Sequence, residues 1–373
     1  MGTETPSEQL HLIKSSETMT TPGEQMLTIT DPDLIEMLES TPAGQIRALT
    51  EKRLLRVQKE RNEKAEKRSA MTPIERRRDL VSEQLKELDL QDSDVHHIHS
   101  VLALCALPYK RPKADSLDYQ ARYGYMSLNV QPGSLTDPRT GDWVRQGVPY
   151  GPKARLVQMH ICTRALRQKS PIVEMEDNMT SFIRNLGFSV TGGKNGTITL
   201  FKEQLNRLAA CRLQIGLWNG VDQSRTINIQ PIKSLDVWFP NDPDQKMLWP
   251  SKVVLSQEFY DSLTDHALPV DIRAMGALSH SAKQMDLMLW LSYRLKGLKK
   301  NYFLTWELLK DQFCQSKTMR MIDFQKRFKD DLNDIQAVFD RPLPIQLSDK
   351  GMLLKPSDPK ALFVPPKRLR RGS

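Results

Sequence analysis

Four cysteines in 373 residues, at Cys105, Cys162, Cys211 and Cys314, leave no pair close enough for a zinc knuckle or a redox CxxC. Four reduced thiols in a reducing cytosol are the expected state. No apolar run approaches the roughly 18 residues of a membrane span. The start, MGTETPSEQL, lacks a basic stretch followed by an apolar one, and Pro6 stands where a myristoylation site needs Ser or Thr. Catalytic signatures are equally scarce: HExxH, GxSxG and EF-hand patterns are missing. Gly192–Gly193–Lys194 is not a P-loop, because Phe188 stands where the first glycine belongs and Asn195 where Ser or Thr belongs. The expectation is a cytoplasmic chain with no membrane, metal, cofactor or enzymatic role.

What is present is charge. Lys and Arg total 54 against 45 Asp and Glu, a net +9 that favours a polyanionic partner without separating DNA from RNA. The charge is uneven. Residues 1–46 are acidic and rich in Ser, Thr and Pro, with Lys14 their only basic residue and no sustained apolar period, so mostly disorder is expected apart from a short amphipathic piece, Asp33 to Leu38. Residues 47–98 begin as a basic helical arm, with Glu60/Lys64 and Glu63/Lys67 spaced for pairing along a helix. Such an arm either touches phosphates or is a solvated linker. Residues 357–373 form a basic tail carrying Lys367, Arg368, Arg370 and Arg371.

Between arm and tail, apolar periodicity predicts two similar modules. Asp94 is positioned to cap a helix through VHHIHSVLALCAL. YGYMSLNV reads as a strand and DWVRQGV as its return. Three helices follow, around Val157/Ile161/Ala165, around Phe182/Leu186, and over TLFKEQLNRLAACR, with Pro171 and Gly187 as stops. RLQIGLW and TINI then form a hairpin. The second module repeats the order. KVVLS and a helix capped by Ser256 lead into SAKQMDLMLWLSYRLKGL, WELLKDQF after Thr305, and TMRMIDFQKRFKDDLNDIQAVF, closed by a hairpin through SDKG.

Three helices and a hairpin is the order of a winged helix, which offers its third helix to the major groove and its hairpin to the neighbouring backbone. The predicted fold is therefore α+β, mainly helical. It comprises two tandem winged-helix domains, 99–245 and 246–356, behind the disordered N-terminus and the basic arm. The candidate DNA-binding residues are Arg155, Lys194, Lys202, Gln204, Asn206 and Arg207 in the first module. In the second they are Lys317, Arg320, Lys326, Arg327, Lys329 and Lys350. Arg and Gln can read base edges, and Lys meets phosphates. Trp290, Tyr293, Trp306, Phe324 and Phe328 are read as core.

The run from VPYGPKARL to TLFKEQLNRL also resembles the plasmid-encoded RepA proteins. The resemblance rests on Pro149, Tyr150, Gly151, Arg155, Phe182, Leu186, Gly187, Gly192, Gly193, Gly196, Gln204, Arg207 and Leu208, and extends over about residues 105–345. It implies a replication initiator that binds repeated double-stranded sites at a plasmid origin. It further implies help in opening the duplex, recruitment of the host helicase and a DnaA-type initiator, and repression of its own promoter as a homodimer. Two alternatives stand beside it. One is a winged-helix transcriptional repressor without a replication role. The other is a rolling-circle nicking enzyme, because His97–Ile98–His99 matches a His-hydrophobic-His metal signature with tyrosines downstream. That chemistry needs both imidazoles on one strand face, whereas the preceding residues read as a capped helix.

Overall fold

The computed structural model describes residues 28–114, 117–138, 140–186, 188–193, 195–236, 252–316, 318–339 and 341–356. The chain divides between Thr72 and Pro73 into two units. In the smaller, α1 (Pro32–Glu39) packs on α2 (Gln45–Ala70). Gln58 of α2 is buried and accepts from the Thr30 and Asp31 backbone N–H groups, both at 3.0 Å, satisfying donors at the start of α1. Arg61 forks onto Asp33 at 2.8 Å and reaches Asp31 at 2.7 Å. The amphipathic piece expected at Asp33 to Leu38 is thus a helix, and the acidic residues beside it answer the basic arm. Of residues 1–46, where mostly disorder is expected, 28–46 are described and hold α1 and the first residues of α2, while residues 1–27 lie outside the described residues, as does the basic tail.

The larger unit opens with α3 (Pro73–Glu87), the later part of the expected arm, followed by β1 (Val95–His99) and α4 (Ser100–Leu104). The continuous helix expected through VHHIHSVLALCAL is corrected here. Its first half pairs as a strand with a partner some 170 residues away, a contact that local periodicity does not report. Asp94 caps no helix; it closes a turn by accepting from the Gln91 N–H.

Next come β2 (Tyr119–Tyr123), β3 (Met126–Gln131), β4 (Ser134–Thr136) and β5 (Trp143–Arg145). The pairing differs from the sequence reading: Gly124 lies in a turn within YGYMSLNV, which splits into hairpin β2–β3, and DWVRQGV supplies β5 against β4 instead. Then follow α5 (Gly151–Gln168), β6 (Ile172–Glu174), α6 (Glu176–Asn185) and α7 (Thr197–Ala210). Strands β7 (Arg212–Trp218), β8 (Ser224–Ile229), β9 (Ile232–Asp236) and β10 (Lys252–Leu255) complete this stretch. The remainder is α8 (Gln257–His266), β11 (Ala267–Asp271), α9 (Ile272–Ala277), α10 (Ala282–Leu295), β12 (Tyr302–Thr305), α11 (Trp306–Phe313), α12 (Met321–Gln336), β13 (Ile345–Ser348) and β14 (Gly351–Leu354).

Two stretches share one topology. In the first, α5, β6, α6 and α7 lead to β9 and β10, and the sheet runs β6-β10-β9. In the second, α10, β12, α11 and α12 lead to β13 and β14, and the sheet runs β12-β14-β13. Both read helix, strand, helix, helix, hairpin, with the last strand in the middle of the sheet. The hairpin expected to close the first module, β7–β8, belongs elsewhere. It is inserted before β9 and joins β2 and β3 in a four-stranded sheet ordered β2-β3-β7-β8. Leu213 and Ile215 turn inward there beside Leu128 and Val130. The buried apolar residues form one cluster from Ile98 to Leu354, so both stretches draw on the same core.

A buried ion pair joins the leading helices of the two stretches. Arg155 on α5 is 2% exposed and faces Asp286 on α10. Its Nε donates to Asp286 Oδ1 at 2.9 Å and Nη2 to Oδ2 at 2.6 Å. The other N–H groups go to the carbonyls of Leu107 (2.7 Å), Pro108 (3.1 Å) and Gly151 (2.9 Å). All five guanidinium donors are therefore used. Burial opposes both charges, pushing the carboxyl of Asp286 up, and the partner's charge acts against that penalty. Gly151 makes the geometry possible: at φ +71° its N–H donates to Pro108 O at 2.9 Å, in a region that favours glycine. Removing one partner strands the other, so Asp286→Ala should cost about 3–5 kcal/mol of unfolding free energy, measured in urea. Arg155→Met with Asp286→Leu should recover most of that loss; a double variant no more stable than the single one would show that the pair is not the cause.

Candidate nucleic-acid interface

The first-module candidates separate by burial. Gln204 and Arg207 on α7 are each 3% exposed. Gln204 Oε1 accepts from the Tyr150 N–H at 2.9 Å. Arg207 donates from Nη1 to Val148 O at 3.2 Å, pairs with Glu203 at 3.0 Å and lies over the Tyr150 ring at 5.1 Å. At the C-terminal end of α7, Gly133 sits where an added Cβ would come within 2.0 Å of Ala210 O, so the β3–β4 connection lies directly on the helix end. The expectation that α7 offers Gln204 and Arg207, together with Arg155, to DNA is therefore corrected: these side chains spend their donors and acceptors inside the fold. Lys202 and Asn206 remain partly exposed, and burial lowers the Lys202 ammonium to about 8. Lys194 lies outside the described residues, as does Lys317.

The second module is different. On α12, Phe324, Phe328, Leu332 and Ile335 face the core, while Lys326, Arg327 and Lys329 are exposed. Arg320, just before the helix, is also exposed and forks onto Asp323 at 2.8 and 3.2 Å; this surface pair is cheap to break. Hydrogen bonding to each other raises Arg320 and lowers Asp323. In the acidic second half of α12, Asp330 is exposed but Asp331 and Asp334 are engaged by the fold. Asp331 holds Lys283 at 2.7 Å, and Asp334 is gripped by Arg78 of α3 and by Gln284 Nε2 at 2.6 Å. Trp306 packs edge-on against Phe324 and Phe328 and donates from Nε1 to Ser348 O at 3.1 Å, fixing the hairpin to the helices. Lys350 is exposed at the β13–β14 turn. Of the second-module candidates, Arg320, Lys326, Arg327, Lys329 and Lys350 are thus all exposed, four of them at or on α12 and one at a hairpin tip.

Residues 148–308 match the family model described as plasmid encoded RepA protein. This segment is RepA-like. It is the family that the motifs at Pro149–Gly151 and Gln204–Leu208 resemble. The matched segment holds α5 through β12 and ends within α11, short of α12. Its motif residues Tyr150, Gly151, Arg155, Gln204 and Arg207 are those that tie residues 148–151 to α7 and α10. No curated protein matches the chain. Two solved structures of domains 2 and 3 of RctB are similar at TM-scores of 0.44 and 0.37, with 9% and 8% identity; both alignments cover 63% of this chain, and 83% and 82% of those chains.

The His97–Ile98–His99 signature sits on strand β1, not on the helix expected there. His99 is nevertheless committed on both ring nitrogens: Nδ1 accepts from the Val101 N–H at 3.2 Å and Nε2 bonds Ser262 Oγ at 3.0 Å. No cluster of three or more His, Cys, Asp or Glu residues suited to a metal occurs among the described residues. The fold also assembles a cationic cavity, with Arg77, Arg164 and Arg167, that sequence reasoning missed. Its residues come from distant segments, and no local pattern links them.

Burial holds three imidazoles neutral: His96 at about 4, His99 at about 4 and His160 at about 3, with Arg167 adding to the effect on His96 and, after His96 and Arg164, on His160. Each stands below the unfolded value of about 6.5. Between roughly pH 6.5 and 4 the unfolded chain binds protons that the folded one refuses, so stability is complete above that window and falls as pH falls. Each group adds a slope approaching about 1.4 kcal/mol per pH unit. Urea unfolding should show a lower midpoint at pH 5 than at pH 7, with the difference reduced in His160→Gln. Equal midpoints would mean that the imidazoles are not held neutral.

Proposed function

We propose that the protein is a plasmid replication initiator that binds repeated origin DNA through two winged helices, with α12 as the chief DNA-facing helix. The observation that carries this reading is the exposed basic first half of α12, on a module whose helix order and strand order fit a winged helix, with Lys350 at the hairpin turn. The RepA match of residues 148–308 supports the replication role. The first module has the same order, and the strands that would flank its wing are β9 and β10; residues 237–251 between them lie outside the described residues. Because the outer side of α7 is engaged by residues 148–150, the first module is better suited to scaffolding or pairing with a second copy, and base reading falls to the second. Opening of the duplex, recruitment of the host helicase and a DnaA-type initiator, and autorepression belong to the proposal through the family resemblance.

A repressor without a replication role fits the same DNA-binding geometry. A plasmid carrying this gene and its flanking DNA, with no other initiator, separates the two: replication supports the initiator, and tight binding without replication supports the repressor. The nicking alternative is disfavoured by His99, whose two ring nitrogens are already bonded. The reading contains no catalytic step.

With about 6–10 phosphate contacts, affinity should drop on the order of 10³–10⁵-fold between roughly 50 and 200 mM salt. Lys326→Ala and Arg327→Ala should each weaken binding to a duplex from the flanking DNA, and a residue that touches only phosphate should reduce the salt slope by about one. Arg320→Ala should have the smaller effect, because Asp323 already competes for its guanidinium. Fluorescence anisotropy across a salt series checks this; unchanged affinity in both α12 variants would move the DNA surface elsewhere.

A further inference from the structure

A cavity of about 600 Å³ opens among α3, β1, α5, α6 and α9, lined by none of the α12 residues. Its wall holds more positive charge than its own carboxylates answer. Arg273 is matched by Asp271 at 2.8 Å and Asp94 at 3.8 Å. Arg77 meets only the face of Phe188, at 4.9 Å, and has no carboxylate partner among the described residues. Arg167 spends one nitrogen on the carbonyls of Asp92, Ser93 and Val95, and the carboxylates of Asp92 and Asp94 offset its charge in part. Arg164 lies one turn away on α5, and its Nε has no hydrogen-bond partner among the described residues. Burial holds both Arg77 and Arg167 below the usual arginine range, with Arg164 adding to the effect on Arg167 and Asp92 and Asp94 acting against it.

Two histidines make this a built site rather than a basic patch. His160 is 4% exposed and His96 8% exposed, and both line the cavity. His160 Nε2 and His96 Nδ1 lack hydrogen-bond partners among the described residues. Both rings pack on Phe182, with centroids at 4.4 and 5.5 Å, which fixes their orientation. Unsatisfied buried polar atoms are costly, and several at one cavity beside a surplus of guanidiniums over carboxylates call for an oxygen-rich anion. Guanidinium forks match phosphate oxygens, and the imidazoles can bond the remaining ones. The volume lies in the range of sites for small organic molecules, and Leu80, Val81, Leu186 and Ile272 offer an apolar wall for the body of such a ligand.

We propose that this cavity binds a small organic phosphomonoester, with the phosphate held by Arg77, Arg164 and Arg167 and by the free ring nitrogens of His96 and His160. The test is isothermal titration calorimetry on the full chain at low salt with adenosine 5′-monophosphate, glycerol 3-phosphate, inorganic phosphate and adenosine. The two esters should bind, adenosine should not, and Arg77→Gln and Arg164→Gln should each weaken the esters at least tenfold while leaving duplex binding unchanged. Several outcomes overturn the proposal: no binding of either ester at millimolar concentration, equal binding of adenosine, or variants that bind as the wild type does. Inorganic phosphate binding as tightly as the esters overturns the organic part. Lost duplex binding in both variants, without ester binding in the wild type, assigns these guanidiniums to the DNA backbone instead. If both variants fail to fold, the imidazole proton resonances of His96 and His160 in the wild type decide: movement on adding adenosine 5′-monophosphate supports the site, and none overturns it.

Discussion

Arg155 and Asp286 face each other where neither could stand alone. A charge in such surroundings persists only if its hydrogen-bonding groups are met, and here the guanidinium meets a carboxylate and three carbonyls. The consequence extends along the chain. Two of the carbonyls, of Leu107 and Pro108, follow α4 and the third is that of Gly151, the first residue of α5, so the pair ties the segment after α4 to the start of that helix. The carboxylate belongs to α10, which also carries Lys283 and Gln284, the residues that receive α12. The position of the exposed basic helix is thus referred back, through α10, to the start of the RepA-like segment.

The sequence made the helices legible and their partners much less so. The apolar repeat of Phe324, Phe328, Leu332 and Ile335 identified α12 and its inner face, because a helix reports its own burial every three to four residues. Strand β1 was misread because VHHIH carries no strong strand pattern and owes its extension to β11. The same limit explains the misassigned hairpin: β7 and β8 do pair, but nothing local says that β3 lies on the other side of β7.

The candidate residues in α7 failed for a chemical reason. Arginine and glutamine advertise hydrogen-bonding capacity without saying where it is spent. Gln204 and Arg207 bind the backbone of residues 148–150 with the groups that would otherwise read a base edge. The motif residues that support the family resemblance are thus, in this chain, joints of the scaffold. The exposed lysines and arginine of α12, which belong to no motif, are the better candidates for contact with nucleic acid.

The charge on α12 illustrates why element-by-element accounting misleads. From Met321 to Gln336 the helix carries three basic and four acidic side chains, a formal charge of −1. As an isolated peptide it would have little reason to approach a polyanion. In the fold, Asp331 and Asp334 are neutralised from behind by Lys283 and Arg78, residues outside the helix. Of the four carboxylates, only Asp323 and Asp330 are then left to oppose Lys326, Arg327 and Lys329, and part of the attraction that the helix exerts is lent to it by its neighbours.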